Sequence, residues 1–232
     1  MKVTTQQIEQ LYLFTRQHYV EYYDLQTELV DHLANAIETE WQQNPKLTFD
    51  EVLNKEFRKF GVFGFMGVVE QKQKFLGKRY NKLIWNYYRE YLRLPKILVT
   101  VGMVYILYSL SKLFADTEIL YLILYGLVFL ISFAKIYKSY KILKERNKKT
   151  DKKWLLEQTA NSHNFILLMV FFNFANSYNI LRPDSWGNLD SFLFPTLLIL
   201  FSIFIYVKLK IIPQRISEEL KQTYPEYKLE NL

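Results

Sequence analysis

The stretch ILYLILYGLVFLISFAKIY, residues 119–137, decides the fold class, because it carries no charged side chain before Lys135. A helix of this length can cross the hydrocarbon layer of a membrane, which takes about 20 residues at a rise of about 1.5 Å each. Three more apolar runs of similar length lie at residues 97–115, 165–181 and 192–212. A soluble core that buried all of them would need a much larger chain. The sequence therefore predicts an all-α integral membrane protein with four transmembrane helices, arranged as two hairpins.

The basic residues near these runs predict the orientation of the chain. The connector at residues 135–160 holds nine lysines and arginines, whereas the turn at 115–118 holds none and the loop at 182–190 holds only Arg182. Basic loops stay on the cytoplasmic side of a membrane. We therefore expect a multi-pass protein of the cell inner membrane with both termini in the cytoplasm and residues 213–232 as a cytoplasmic tail. The short outer loops leave no room for an extracellular enzyme or receptor domain.

Charge and composition narrow the classes of partner. Residues 1–60 have a formal net charge of −4, residues 61–95 of +5 and residues 96–161 of +6. Positive charge thus collects beside the apolar runs, which indicates the anionic headgroups of membrane lipid rather than nucleic acid. The chain has no cysteine, which excludes disulfides, thiolate catalysis and metal sites with cysteine ligands.

Residues 1–76 have the pattern of a small cytoplasmic helical domain. Thr4 and Thr48 each precede a glutamine or glutamate by three residues, which is the pattern of a capping box at a helix start. Gly61 can take the left-handed conformation that ends the helix beginning after Thr48. Between these helices, residues 20–41 predict another, in which apolar side chains recur every four residues and form one buried stripe. The stripe consists of Leu25, Leu29, Leu33, Ile37 and Trp41.

The same predicted helix places a polar ribbon beside its apolar stripe. The ribbon consists of Asp24, Glu28, Asp31, His32 and Asn35. We interpret it as a solvated or partner-facing surface, with His32 paired to Glu28, and take its residues as candidates for partner binding. Histidine and carboxylates spaced four apart can also share a metal ion. However, one helix rarely supplies a whole site and the other histidines, His18 and His163, lie elsewhere, so no metal or catalytic residue is assigned.

The N-terminal region resembles the HAAS-type signalling domain and the related permease-prefix domains. The resemblance covers about residues 5–75 and rests on ELVDHLANAIE (28–38), a break, and LTFDEVLNKEFRKFG (47–61), followed by membrane runs. It implies a helical module at the front of a bacterial membrane protein, with a role in regulating or assembling membrane partners and not in catalysis. The aromatic content and the longer break QQNPKLT (42–48) depart from the family pattern. The richness in Tyr, Phe, Lys and Asn is similar to that of Bacteroidetes proteins.

Residues 77–96 predict an amphipathic helix at the membrane surface. Aromatic side chains fall on one side of this helix and basic side chains on the other, as in headgroup-level anchors. Candidate interface residues are Lys78, Arg79, Lys82, Tyr87, Tyr88, Arg89, Tyr91 and Arg93. Such interleaving also occurs in proteins that bind single-stranded nucleic acid, but a membrane run follows within a few residues and favours lipid. The preceding GVFGFMG (61–67) lacks the Lys-Ser or Lys-Thr of a phosphate loop and indicates helix termination and close packing.

Three hypotheses for function follow from these patterns. The first is a non-enzymatic regulatory or assembly protein of the membrane, without cofactor, whose cytoplasmic module docks a protein partner or a second copy. The second is a small transporter or lipid-handling subunit that uses Asn173 and Asn176, a polar pair within the predicted span at 165–181. Hydrogen bonding between helices is the simpler explanation of the same pair. The third is a metal-dependent membrane enzyme using Asp24, Glu28, Asp31 and His32.

Overall fold

The computed structural model describes residues 2–114, 117–162, 164 and 190–230, and confirms the predicted all-α class. Besides the helices, the described residues include an isolated parallel β-bridge between Tyr22 and Lys153. The helices are α1 (Thr5–Gln17), α2 (Tyr23–Gln43), α3 (Phe49–Arg58), α4 (Phe65–Glu90), α5 (Lys96–Ser111), α6 (Thr117–Thr150), α7 (155–162), α8 (Asp190–Tyr206), α9 (Ile212–Thr223) and α10 (Pro225–Glu230). A π-helical turn, Val207–Ile211, joins α8 to α9.

The described residues form two compact units. Unit one consists of the chain up to Lys78 together with Asn147–Thr159, and unit two of Arg79–Arg146 with the described residues from Ala160 onward. Helix α4 therefore continues past the predicted boundary at residue 76. Unit one also takes in part of the basic connector, which the sequence pattern assigned to a loop between spans.

Two helices of unit one, α1 and α3, begin where the sequence predicts, whereas α2 begins three residues after its predicted start at residue 20. In both capping boxes the threonine hydroxyl accepts the amide of the third helical residue, and that residue's side chain accepts the threonine amide. These bonds satisfy amides that a helix start otherwise leaves without a partner. The second helix starts at Tyr23 without a side-chain cap. Gly61 has φ of 76°, as expected for the residue that ends the α3 region.

The core of unit one contains the predicted stripe of α2, since Leu25, Leu29, Leu33, Ile37 and Trp41 are all buried. Leu11 from α1 and Val52 from α3 are fully buried with them. An aromatic cluster closes one end, with ring centroids 4.1–6.1 Å apart. Its members are Phe14, His18, Phe57, Phe60 and Phe65. Burial of these side chains is the main favourable contribution to folding of the unit.

Within the described residues, two helices are long and apolar enough to cross a membrane, Ile119–Thr150 and Phe192–Thr223, and they lie in unit two up to Arg146 and from Phe192 onward. The predicted spans 119–137 and 192–212 lie within them. The run predicted at 97–115 forms α5, an apolar helix of 16 residues that is shorter than these two. The span predicted at 165–181 lies outside the described residues. The described residues thus include two membrane-length helices, and the four-span arrangement stays a prediction.

Helices α6 and α8 pack through apolar and aromatic side chains. Ile205 is buried at the centre of this contact. The side chains around it are Tyr125, Val128, Phe129, Phe201, Phe204 and Leu209. Helix α6 is 34 residues long and ends at Thr150, so that residues 135–150 of the basic connector are helical.

Candidate functional site

The first turn of α2 holds the connector that follows α6. The amide of Leu155, at the start of α7, lies 3.1 Å from each carboxylate oxygen of Asp24 and donates to them. A carboxylate at this position satisfies a free amide of the helix start and interacts favourably with the positive end of the helix dipole. Asp24 is only 7% exposed. We call the contact between residues 21–24 and residues 152–155 the connector joint.

Four further contacts stabilise the connector joint. The amide of Tyr23 donates to the carbonyl of Lys153 at 2.8 Å, beside the bridge of Tyr22 with Lys153. The ammonium of Lys153 lies 2.6 Å from a carboxylate oxygen of Glu21. The Lys152 ammonium lies 4.2 Å from the centroid of the Tyr23 ring. Trp154, which is 1% exposed, packs edge-on against the same ring at 5.4 Å.

Burial changes the electrostatics of Asp24. Removal from water raises the pKa of this carboxyl above its usual value of 3.8, and the negative charge of Glu28 raises it further. The amides of Leu155 and Leu25 stabilise the carboxylate and oppose part of that rise in pKa. Asp24 is therefore a buried acid with specific partners and not part of an open surface.

The predicted ribbon divides into a buried end and an exposed end. Asp24 faces the connector, whereas Asp31, His32 and Asn35 are exposed. The expected pairing of His32 with Glu28 is not present. Glu28 accepts instead from the Lys72 ammonium of α4, at 2.7 and 2.9 Å, and the His32 ring stands edge-on to Phe60 with centroids 6.1 Å apart. The sequence pattern missed this because Lys72 is 44 positions away from Glu28.

The ribbon does not gather into a metal site in the structure. Within the described residues, no group of three or more histidines and carboxylates is close enough to hold a metal ion. The distances explain this for the predicted set, since the Asp24 carboxylate binds backbone amides and the Glu28 carboxylate binds a lysine. The second polar candidate, Asn173 with Asn176, lies outside the described residues.

The predicted interface helix is the second half of α4 and the turn after it. Its basic residues Lys78, Arg79, Lys82, Arg89 and Arg93 are exposed, as is Trp85. Its tyrosines do not form a free face. Tyr88 lies 5.8 Å from Phe204 and Tyr91 lies 6.5 Å from Tyr206, between ring centroids.

Contacts with α9 hold the same face of α4. Arg79 pairs with Glu219 at 2.7 Å, and the guanidinium of Arg215 lies 5.9 Å from the Tyr87 ring. Burial raises the pKa of the Tyr88 phenol. Thus Tyr87, Tyr88 and Tyr91 contact protein within unit two, and the exposed part of this helix is its basic side with Trp85.

Residues 154–156 are the part of the site that sequence reasoning missed. Trp154, Leu155 and Leu156 are all buried, although they follow a run of lysines that predicts a solvated connector. The available signal was the WLL triplet itself, because three large apolar residues directly after a charged stretch need a surface to pack on.

Comparison of the chain with protein families, curated proteins and solved structures gave no match.

Proposed function

We propose that this protein is a non-enzymatic, membrane-anchored regulatory or assembly protein whose N-terminal helical unit docks a protein partner. The observation that supports the proposal is the connector joint. It makes the segment between two predicted spans part of the fold of unit one, through a buried carboxylate, a backbone pair and a buried tryptophan. Unit one is therefore connected to the predicted spans at two places in the chain, through α4 and through the connector.

The exposed end of the ribbon is the proposed docking surface. Asp31, His32 and Asn35 are exposed on the helix whose first turn holds the connector. The connector joint can be formed or broken, and a partner that binds α2 more tightly in one of these two states favours that state. The equilibrium between the two states then shifts by the difference in binding free energy. Docking at α2 would thus be coupled to the membrane segments through the connector, and this coupling needs no catalytic residue.

The proposed membrane arrangement has four spans, both termini in the cytoplasm of a bacterial cell and the inner membrane as its location. Two membrane-length helices and the nine basic residues at 135–160 support it. The exposed basic side of α4 is proposed to meet anionic headgroups. A reporter fused after residue 232 should be active only in the cytoplasm, and activity in the periplasm would contradict the even number of spans.

Site-specific photo-crosslinking of the full chain in cells tests the docking surface. A photoreactive amino acid at Asp31 or Asn35 should form an adduct with a protein partner or with a second copy, and mass spectrometry distinguishes these outcomes. The control position is Asn54, which is exposed on α3 of the same unit. Equal adduct patterns at all three positions, or no adducts, would contradict the proposal.

A further inference from the structure

We propose that the turn between α3 and α4 is a membrane-inserting tip that contacts a bilayer containing anionic lipid. The turn presents three large apolar side chains to the surroundings: Val62 is 98% exposed, Phe63 79% and Met66 57%. Soluble proteins seldom group such side chains at a protruding turn unless the surface binds something. This inference goes beyond the proposed function, which uses the exposed part of α2.

The backbone fixes the shape of this tip. Gly61 and Gly64 have φ of 76° and 51°, in the left-handed region that favours glycine. The amide of Gly64 donates to the carbonyl of Gly61 at 3.2 Å, and that of Met66 to Phe63 at 3.1 Å. A Cβ atom at Gly64 would lie 2.9 Å from the Phe57 ring. The turn therefore needs glycine both for its conformation and for its close approach to the core.

The tip stands on the aromatic cluster of unit one. Phe57, Phe60 and Phe65 flank the turn, and their rings pack against one another and against Phe14 and His18. The space below the turn is thus already filled with rings. Val62 and Phe63 cannot withdraw into the core without displacing them.

A second exposed aromatic side chain adds to the same apolar surface. Tyr19 has φ of 64° and is 76% exposed. This conformation ends α1, because the amides of Tyr19 and Val20 donate to the carbonyls of Arg16 and Thr15, both at 3.1 Å, and it directs the Tyr19 ring away from the core. Tyr19, Phe63 and Met66 line one open depression of about 500 Å³. Unit one thus holds an aromatic ring out of its core at two neighbouring places.

Charge and shape favour lipid as the occupant. Arg58 and Lys78 are exposed basic side chains in the flanking helices, whereas Lys59, Lys72 and Lys74 form ion pairs with Glu56, Glu28 and Glu70. Apolar side chains at a protruding turn with basic residues in the flanking helices match the two layers of an anionic membrane surface, acyl chains beneath headgroups. The described part of the chain also includes two membrane-length helices, which would keep a bilayer available at high effective concentration.

The absence of cysteine from the chain allows a direct test in the full-length protein. Val62→Cys and Phe63→Cys are labelled with the fluorophore NBD, and Asn54→Cys on α3 serves as the matched exposed control. Each protein is reconstituted in phosphatidylcholine vesicles with and without phosphatidylglycerol. Quenching is measured with iodide from the water and with nitroxide attached to the lipid acyl chain.

We expect the labels at positions 62 and 63 to be quenched by the lipid nitroxide and shielded from iodide when phosphatidylglycerol is present. The control label should show the reverse, with a several-fold difference in the ratio of the two quenching constants. Iodide quenching at position 62 equal to that of the control would overturn the proposal. Shielding from both quenchers would also overturn it, because the occupant would then be protein. Crosslinking at Asp31 and Asn35 is independent of these labels, so failure of the lipid contact and failure of partner docking are distinguishable.

Discussion

The two units of this protein place their apolar side chains in opposite ways. In unit one, the stripe of α2 faces a core and Leu33 and Ile37 are fully buried. In unit two, Leu98 on α5 is 65% exposed, and Leu122 and Ile131 on α6 are 68% and 58% exposed. Exposed apolar area on this scale is unfavourable in water and neutral in hydrocarbon. Unit one is therefore stabilised by burial within itself, whereas unit two exposes apolar area of the kind that a membrane could cover.

Hydroxyl side chains show the same contrast. At two helix starts of unit one, Thr4 and Thr48 accept amides that would otherwise need water. In unit two, Ser132 and Ser202 lie inside apolar helices and donate to the carbonyl four residues earlier, at 2.6 and 2.7 Å. A hydroxyl bonded in this way needs no water.

The largest effect should come from a charge placed in the core of unit one. Leu33 is fully buried, and a carboxylate there would be desolvated without a partner, so Leu33→Asp should cost about 4 kcal/mol or more and unfold the unit. Limited proteolysis of the full chain in detergent should then cut α2 rapidly, while α6 and α8 stay protected. His32→Ala, one position away and exposed, should cost less than about 1 kcal/mol. Rapid cutting of the His32 variant would contradict the view that this histidine lies on an open surface.

The second effect in size concerns the connector joint. Trp154 is 1% exposed, and replacing a buried tryptophan with alanine costs about 3–5 kcal/mol. Trp154→Ala should therefore increase hydrogen exchange of the α2 amides in the full chain. Gln158→Ala, at an exposed position of the same segment, is the control. Unchanged exchange in the Trp154 variant would mean that unit one is complete without the connector.

Local features of the fold could be predicted from the sequence, whereas the contacts of the site could not. Capping boxes, the α2 stripe and the apolar runs depend on residues at most a few positions apart, so spacing is enough to identify them. The joint between Asp24 and Leu155 spans 131 positions. Helical periodicity places Asp24 beside the apolar stripe correctly, but it has no information about which segment covers the first turn of α2.

The packing of α4 illustrates the same limit. The sequence pattern groups Tyr88 and Tyr91 on one face correctly and assigns that face to lipid. In the structure, the two rings meet Phe204 and Tyr206. An apolar face predicts burial, but it does not predict whether protein or lipid provides the cover.

Titration of Asp24 should make the stability of unit one depend on pH. Its pKa is raised in the folded protein, mainly by burial, so between the ordinary value of 3.8 and the raised pKa the folded state binds more protons than the unfolded state. The free energy of unfolding should therefore fall as pH rises through this window, and Asp24→Asn should remove the slope. Hydrogen exchange at the Leu155 amide, corrected for its intrinsic pH dependence, measures the effect. Asp31→Asn removes an equal charge at an exposed position of the same helix and should retain the slope.

The smallest effect should come from the ion pair between Glu28 and Lys72. The two side chains lie 2.7 Å apart and are 47% and 34% exposed, and pairs with this exposure contribute about 0.2–1 kcal/mol. A double-mutant cycle with Glu28→Gln and Lys72→Met, read from exchange of the α2 amides, should give a coupling in that range. At about 1 M salt the coupling should largely disappear, because the screening length falls to about 3 Å.

A coupling above about 2 kcal/mol that persists in salt would require the pair to be shielded from water. Since half of the Glu28 side chain is exposed in this structure, the shielding would have to come from a protein or lipid surface covering α2. The weakest predicted contact of unit one thus reports whether the exposed end of the ribbon is covered in the intact protein. Repeating the cycle with His32→Ala, at the neighbouring exposed position, would show whether the cover extends along the proposed docking surface.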